Sequence, residues 1–261
     1  MLRTSFALLA LVAAGASLAA EVQRAVVYKV GDAEMTSTLV YDDAGPAKRP
    51  GIVMVPNWMG ATDAAIARAK QVAGDDYVVL VADVYGTGVR PADPKAASEQ
   101  VGKMFADVPM LRARVGEALV QLKAQVDKAP LDLEDLGAIG YCFGGSTALE
   151  LARSGADIDA VVSFHGGLKS SMPAKPGEVK ASVLVLNGAD DGNVKPEDIA
   201  AFEQEMKAAN ADWQFVNLSG AVHCFAEEDA NRPPGCVYHE RSAKRGYAMM
   251  NDLFAEAFAQ P

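Results

Sequence analysis

Uninterrupted apolar runs alternate along the chain with segments of helical pattern. Short runs of this kind are typical of strands buried in a parallel sheet. The predicted strands of this series are 51–55, 77–82, 136–140, 160–164 and 183–186, and 213–218 is predicted as a last strand. The predicted helices are 64–73, 96–128 with a break near Pro109, 146–153, 196–209 and one within 237–259. Alternation of strands and helices predicts an α/β fold, with a mostly parallel sheet and helices on both faces.

Two β-rich runs precede this series, 22–30 and 35–41, and they flank Gly31-Asp32. This arrangement predicts an opening hairpin. No internal repeat, low-complexity tract or linker divides the chain, so we predict a single domain over 21–261. In sheets of this class the ligand binds beyond the carboxyl ends of the strands. The residues that follow each apolar run are therefore the candidates for chemistry.

The first 20 residues have the pattern of a secretory signal peptide. Arg3 supplies a positive charge, 6–14 is a short apolar run, and small residues precede a predicted cleavage after Ala19 or Ala20. A membrane anchor and a buried first helix are the alternatives. We therefore predict that the mature protein is periplasmic or secreted, and that it makes no membrane contact after cleavage.

Composition excludes some classes of function. The 261 residues include 24 Lys and Arg against 34 Asp and Glu, which gives a net charge of −10. The basic residues form no stripe, so nucleic-acid binding is not predicted. No two of the three histidines have the spacing of metal ligands on a helix, so we predict no metal site. The sequence leaves the oligomeric state open.

The three cysteines are Cys142, Cys224 and Cys236. Cys224 and Cys236 lie 12 positions apart around Pro233-Pro234-Gly235, a turn-rich stretch. Since export leads to an oxidising compartment, we predict a disulfide between them. Two independent thiols are one alternative, and a Cys142–Cys224 pair is another.

The sharpest motif is Gly140-Tyr141-Cys142-Phe143-Gly144-Gly145, between a predicted strand and a predicted helix. A nucleophile on such a strand-to-helix turn is lifted clear of the sheet. The spacing predicts Cys142 as nucleophile and the Phe143 amide as an oxyanion donor. The following helix N-terminus favours a thiolate. A buried cysteine in a Gly-rich connection is the alternative.

Two further residues follow later strands in the order that this architecture requires. Asp191 comes after the fifth apolar run, with Asp190 as its rival, and His223 comes after the last strand. We predict that His223 is the base and that Asp191 orients it. His165 also ends a strand, where it lines the pocket or caps the strand.

The loop after strand 51–55 should supply the second oxyanion donor. We predict the backbone amide of Trp58 for this role, with the indole ring as an apolar wall or an ordinary core residue. The substrate-pocket candidates are Asn57, Tyr85, Arg90 and His165.

With these residues, the chain resembles the dienelactone hydrolase family of α/β-hydrolases. The likeness is carried by 140–145 and by the surroundings of Asp191 and His223, and it extends from Gly51 to the last helix. The resemblance implies a single-domain α/β-hydrolase fold, a Cys142-His223-Asp191 triad, no cofactor and hydrolysis of an ester or lactone through a thioester.

Two positions depart from the family pattern. Asn57 stands where the best-known members have a glutamate that helps to activate the cysteine. Glu227 stands where an arginine would bind a substrate carboxylate, and Arg90 is a loose match to a second arginine of that kind. These departures favour a small neutral ester or lactone as substrate. A non-catalytic binding protein and a thiol redox protein using Cys142 are the alternative functions.

Overall fold

The structure is a computed structural model and describes residues 21–259. The predicted signal peptide, residues 1–20, lies outside the described residues. The strands of the central sheet are β1 (Glu21–Val30), β2 (Ala33–Asp42), β3 (Arg49–Val55), β4 (Val78–Val81), β5 (Leu131–Tyr141), β6 (Ala160–Phe164), β7 (Ser182–Gly188) and β8 (Trp213–Leu218). The helices are α1 (Asp63–Ala73), α2 (Pro94–Ala106), α3 (Val108–Lys123), α4 (Phe143–Arg153), α5 (Pro196–Ala208) and α6 (Glu240–Ala257).

Within the described residues, eight strands form one sheet in the order β1-β2-β4-β3-β5-β6-β7-β8. β1 and β2 form the predicted hairpin, and β2 is also antiparallel to β4. The remaining neighbours are all parallel. The predicted α/β class with a mostly parallel sheet is therefore confirmed.

The centre of the sheet is covered on both faces, which is why strands β4, β6 and β7 are almost uniformly apolar. Every residue of β4 and β6 is buried. Helices α1 and α6 contribute their apolar residues to one core cluster, and α2 to α5 contribute to the other. The two clusters lie on opposite faces because side chains alternate along each strand: Ile52 belongs to one cluster and Val53 to the other.

The long predicted helix over 96–128 is two helices, and the predicted break near Pro109 is confirmed. It lies at Asp107, whose side chain accepts a hydrogen bond from the amide of Met110 at 3.0 Å and so caps α3. Pro109 falls in the first turn of α3, where a missing amide hydrogen costs no helical hydrogen bond. Pro109 therefore starts a helix here instead of ending one.

A second, two-stranded sheet was not predicted. It pairs β9 (Asn231–Arg232) with β10 (Cys236–Val237), and we call the segment 231–237 the ribbon. Among the helices in the described part of the chain, none is long and apolar enough to cross a membrane.

Candidate active site

Cys142 lies at the tip of a tight turn between β5 and α4, with a backbone φ of 55°. The turn requires glycines at two places. A Cβ on Gly140 would lie 2.0 Å from the carbonyl oxygen of Gly144, and a Cβ on Gly144 would lie 2.0 Å from that of Val55. Helix α4 begins at Phe143, three residues earlier than predicted. The Phe143 amide is thus a first-turn donor, which has no acceptor within its own helix.

The structure brings Cys142, His223 and Asp191 into one hydrogen-bonded chain. His223 Nε2 lies 3.0 Å from Cys142 Sγ, and His223 Nδ1 lies 2.7 Å from Asp191 Oδ2. The other oxygen of Asp191 accepts from the amide of Asn193 at 2.9 Å, which fixes the carboxylate. Asp191 is buried whereas its rival Asp190 is exposed. The three residues follow β5, β7 and β8, at the edge where a ligand was expected.

His223 keeps a proton through neutral pH in this arrangement. Burial opposes its charge, but the hydrogen bonds to Asp191 and Cys142 outweigh burial and raise the pKa of His223 to about 10. An imidazolium beside a thiol stabilises the thiolate by charge attraction. The geometry therefore holds a proton donor against the thiol of Cys142, the candidate nucleophile.

His165 lies behind the nucleophile and is fully buried. The Cys142 amide donates to the carbonyl of Phe164 at 3.0 Å and lies 3.1 Å from His165 Nδ1, which accepts as well. Since Nδ1 accepts, the ring carries its hydrogen on Nε2. Burial lowers the pKa of His165 well below its usual value, and the charges of His223 and Arg68 lower it further. His165 is a neutral support of the turn.

The loop after β3 is organised by Asn57. Its side-chain oxygen accepts from the Met59 amide at 3.0 Å, and its carbonyl accepts from the Gly60 amide at 2.9 Å. The next carbonyl, that of Trp58, accepts from the Tyr85 hydroxyl at 3.0 Å. The Trp58 amide is therefore in a turn that is fixed on both sides, and Trp58 lines the space around Cys142.

Tyr85 and Arg90 lie behind this loop. Tyr85 is buried and stacks on the ring of Phe143 with centroids 5.4 Å apart. Arg90 donates to the carbonyl of Ala61 at 3.0 Å and lies 3.5 Å from Asp83. Both side chains hold the loop that carries Trp58, and neither is among the residues that line the cavities at Cys142.

Sequence reasoning missed a buried ionic cluster beside the site. Arg68 of α1 lies 3.3 Å from Glu227, which is 2% exposed and also accepts a hydrogen bond from the Asn57 amide group. Glu227 also lies 3.8 Å from His165 Nε2. Burial raises the pKa of Glu227, and Arg68 and Asn57 oppose this. Arg68 carried no signal in sequence, since it stands in an Ala-rich helix far from every motif.

The predicted disulfide between Cys224 and Cys236 is confirmed, and Cys142 is free. Cys224 directly follows His223, so the disulfide ties the ribbon to the neighbour of the candidate base. The ribbon is held a second time by the Val237 amide, which donates to the His223 carbonyl at 3.1 Å. The guanidinium of Arg232 lies over the Trp58 ring, 5.4 Å from its centroid.

Two cavities open at Cys142, of about 630 Å³ and about 320 Å³. The ribbon and Trp58 line both of them, and His223 lines the larger one. Within residues 21–259, no group of three or more His, Cys, Asp or Glu side chains could hold a metal ion.

Comparison with known proteins gives consistent results. The model of the dienelactone hydrolase family matches residues 36–258. A solved structure named m3DLH is 36% identical, covers 92% of this chain and 99% of its own, and has a TM-score of 0.84. A dienelactone hydrolase-like promiscuous phosphotriesterase from metagenomic libraries is 34% identical, with 91% and 99% covered and a TM-score of 0.82. The "Putative carboxymethylenebutenolidase" of Salmonella typhimurium is 27% identical, with 79% of this chain and 77% of that protein covered.

Proposed function

Because this chain belongs to the dienelactone hydrolase family of α/β-hydrolases, which cleave ester or lactone bonds, we propose that it hydrolyses a small neutral ester or lactone through a thioester on Cys142. The observation that supports this is the position of His223. Its two ring nitrogens lie 3.0 Å from Cys142 Sγ and 2.7 Å from Asp191. A nucleophile needs a contact of the first kind with its base, and the base needs a contact of the second kind with the carboxylate that orients it.

The reaction begins from the Cys142 thiolate and the His223 imidazolium. The thiolate attacks the carbonyl carbon, and the carbonyl oxygen takes the negative charge beside the amides of Phe143 and Trp58. When the tetrahedral intermediate collapses, the carbon–oxygen bond of the ester breaks and His223 Nε2 gives its proton to the leaving alkoxide. The acyl group is then held on sulfur, and His223 is neutral.

Water completes the cycle. Neutral His223 takes a proton from a water molecule as its oxygen attacks the thioester carbon. The carbon–sulfur bond breaks, the carboxylic acid is released, and the thiolate and imidazolium are restored. Asp191 holds its hydrogen bond to Nδ1 throughout, and so keeps Nε2 directed at sulfur.

Glu227, which stands where the family pattern has an arginine, favours a neutral substrate. Glu227 is buried against Arg68, so Arg68 is already paired with a carboxylate of the chain. No arginine follows His223 at the place where the family pattern has one, since Glu227 stands there. A substrate carboxylate would meet an acidic side chain at this place, and the charge repulsion would cost affinity.

We also propose that the mature protein acts in the periplasm or outside the cell. This rests on the pattern of the first 20 residues and on the disulfide, which is a bond of oxidising compartments. N-terminal sequencing of the protein recovered from a cell fraction tests it. A native protein that retains residues 1–20 in the cytoplasm would contradict export.

The deciding experiment is hydrolysis of p-nitrophenyl acetate before and after alkylation with iodoacetamide. We expect activity that is lost as one equivalent of label is bound, and peptide mapping should place the label on Cys142. Cys142→Ala should lose at least about a thousandfold in kcat, since loss of a triad member removes most of the rate enhancement. A folded Cys142→Ala variant with wild-type activity would refute the thioester.

A further inference from the structure

The two cavities at Cys142 differ in chemistry. The larger, of about 630 Å³, has mostly apolar walls, and these are Trp58, Val101, Phe105, Phe143, Pro233 and Pro234. The smaller, of about 320 Å³, has three carboxylates on its wall, those of Asp93, Glu227 and Asp229. We call them the apolar cavity and the acidic cavity. Trp58 and the ribbon line both cavities.

His223 determines which part of a substrate enters which cavity. The carbonyl carbon attacked by Cys142 carries two substituents, the acyl chain and the alcohol. Since Cys142 lines both cavities, each substituent has a cavity available to it. The alcohol oxygen must lie within hydrogen-bond reach of His223 Nε2, because it receives the proton from that atom. His223 is part of the wall of the apolar cavity, so the alcohol lies there and the acyl chain extends into the acidic cavity.

The charges around the acidic cavity set the chemistry of the acyl chain. Arg68 lies 2.7 Å from Asp229 and 3.3 Å from Glu227, so one guanidinium serves two carboxylates. Asp93 caps α2 by accepting a 2.8 Å hydrogen bond from the Ala96 amide, and its side chain is part of the cavity wall. Arg232 also lines this cavity, so three acidic side chains stand against the two guanidinium groups of Arg68 and Arg232. The acidic groups are in excess, and the cavity favours a cation or a hydrogen-bond donor over an anion.

We propose that the site takes esters of an apolar alcohol, with a group up to the size of an aromatic ring, whose acyl chain is polar and either neutral or cationic. The cationic chain extends the neutral substrates of the proposed function, and an anionic chain is disfavoured. This inference rests on the proposed function, since it uses the proton transfer from His223. The apolar alcohol packs against Phe105 and the two prolines of the ribbon. The acyl chain ends beside Asp229, which is exposed to solvent.

Isomeric esters test the orientation. Benzyl acetate and methyl phenylacetate have the same atoms, with the phenyl ring on the alcohol side or on the acyl side. Each kcat/KM is divided by the rate constant of alkaline hydrolysis to remove differences in intrinsic reactivity. We expect the corrected kcat/KM of benzyl acetate to be about ten times that of methyl phenylacetate, because filling an apolar pocket has an effect of this size. Phe105→Ala should lower this ratio several-fold, and Val120→Ala, on an exposed face of α3, should leave it unchanged.

Isosteric acyl chains test the charge. Benzyl 4-(trimethylammonio)butanoate and benzyl 5,5-dimethylhexanoate have the same shape and differ by one positive charge. We expect the cation to be favoured by about threefold, the scale of a partly exposed charge pair. Monobenzyl glutarate, which is anionic, should be the slowest of the three. Asp229→Asn should reduce the preference for the cation, with Asp252→Asn on the exposed face of α6 as the matched control.

The outcomes separate this inference from the proposed function. A ratio of one or below for the isomeric pair overturns the orientation, and equal rates for the cationic and anionic chains overturn the acyl chemistry. Either result leaves the Cys142 hydrolase intact if p-nitrophenyl acetate is still cleaved. Absence of cleavage of all these esters, with Cys142 unreactive to iodoacetamide, overturns the proposed function and this inference together.

Discussion

The amide nitrogen of Cys142 lies 3.1 Å from Nδ1 of His165, so a buried histidine outside the Cys142-His223-Asp191 chain supports the backbone of the candidate nucleophile. Both residues have positive φ values, 55° for Cys142 and 41° for His165. Such conformations persist only where the surrounding structure determines them. Two strained residues at the ends of neighbouring strands therefore hold each other in place.

His165→Leu should lower kcat by about ten- to a hundredfold and leave KM unchanged, because a displaced nucleophile loses its alignment with the carbonyl. His165→Asn should retain more activity, since asparagine tolerates a positive φ and its side-chain oxygen accepts a hydrogen bond. Steady-state kinetics on p-nitrophenyl acetate, with thermal unfolding as the control for folding, checks both. A His165→Leu variant with wild-type kcat would show that the contact is dispensable.

The pH dependence of kcat/KM should have an alkaline limb near pH 10 for benzyl acetate. Above the pKa of His223, about 10, the imidazolium that protonates the alkoxide is lost, and acylation slows. With p-nitrophenyl acetate the decrease in kcat/KM at high pH should be small, because p-nitrophenolate is a good leaving group that does not need to be protonated. Asp191→Asn removes the carboxylate charge that helps to raise this pKa, so the alkaline limb of that variant should move to lower pH. A wild-type limb below pH 8 with benzyl acetate would contradict the assignment.

Gly144→Ala should lower the free energy of unfolding by about 3 kcal/mol or more, because its Cβ would lie 2.0 Å from the carbonyl oxygen of Val55. Gly116→Ala on α3 is the matched control. The space around Gly116 is open, so alanine there should stabilise the protein by about 1 kcal/mol through helix propensity. Urea unfolding midpoints measure both changes, and equal midpoints for the two variants would disprove the packing argument.

Removal of the disulfide by Cys224→Ala and Cys236→Ala together should lower the free energy of unfolding by about 3 kcal/mol, from the entropy of the loop that it closes. Since the ribbon lines both cavities, KM for benzyl acetate should rise as well. Wild-type protein treated with reductant should behave as the double variant does. A reduced protein with unchanged stability and KM would mean that the backbone bond from Val237 to His223 is sufficient.

Much of the fold could be predicted from the sequence because most of the buried parallel strands have uninterrupted apolar sequences. The run 160–164 coincides with β6, since every residue in it is buried. Strand β5 begins at Leu131, five residues before the predicted start, because polar residues at its amino end face away from the core. The places of Cys142, Asp191 and His223 followed from the order of the strands, as each lies in the turn or loop that follows a predicted strand.

The surroundings of these residues could not be predicted, because they depend on contacts between distant parts of the chain. Arg68 and Glu227 are 159 positions apart, and neither residue type is expected in the interior unless a partner is known. Tyr85 and Arg90 stand in a Gly- and Pro-rich loop whose path has no periodicity. The ribbon is too short for a strand pattern, and the disulfide and Arg232 hold it in place.

In the proposed mechanism, the groups that react and the walls that select the substrate belong to different parts of this molecule. Cys142, Asp191 and His223 follow strands of the rigid sheet, whereas the ribbon, which lines both cavities, is a surface segment closed by one disulfide. Substitutions at Arg232, Pro233 or Pro234 can therefore reshape the cavities while the strand ends stay fixed. The ribbon is accordingly the segment to randomise in a directed-evolution library, and the place where natural selection could change the range of esters with the least loss of turnover.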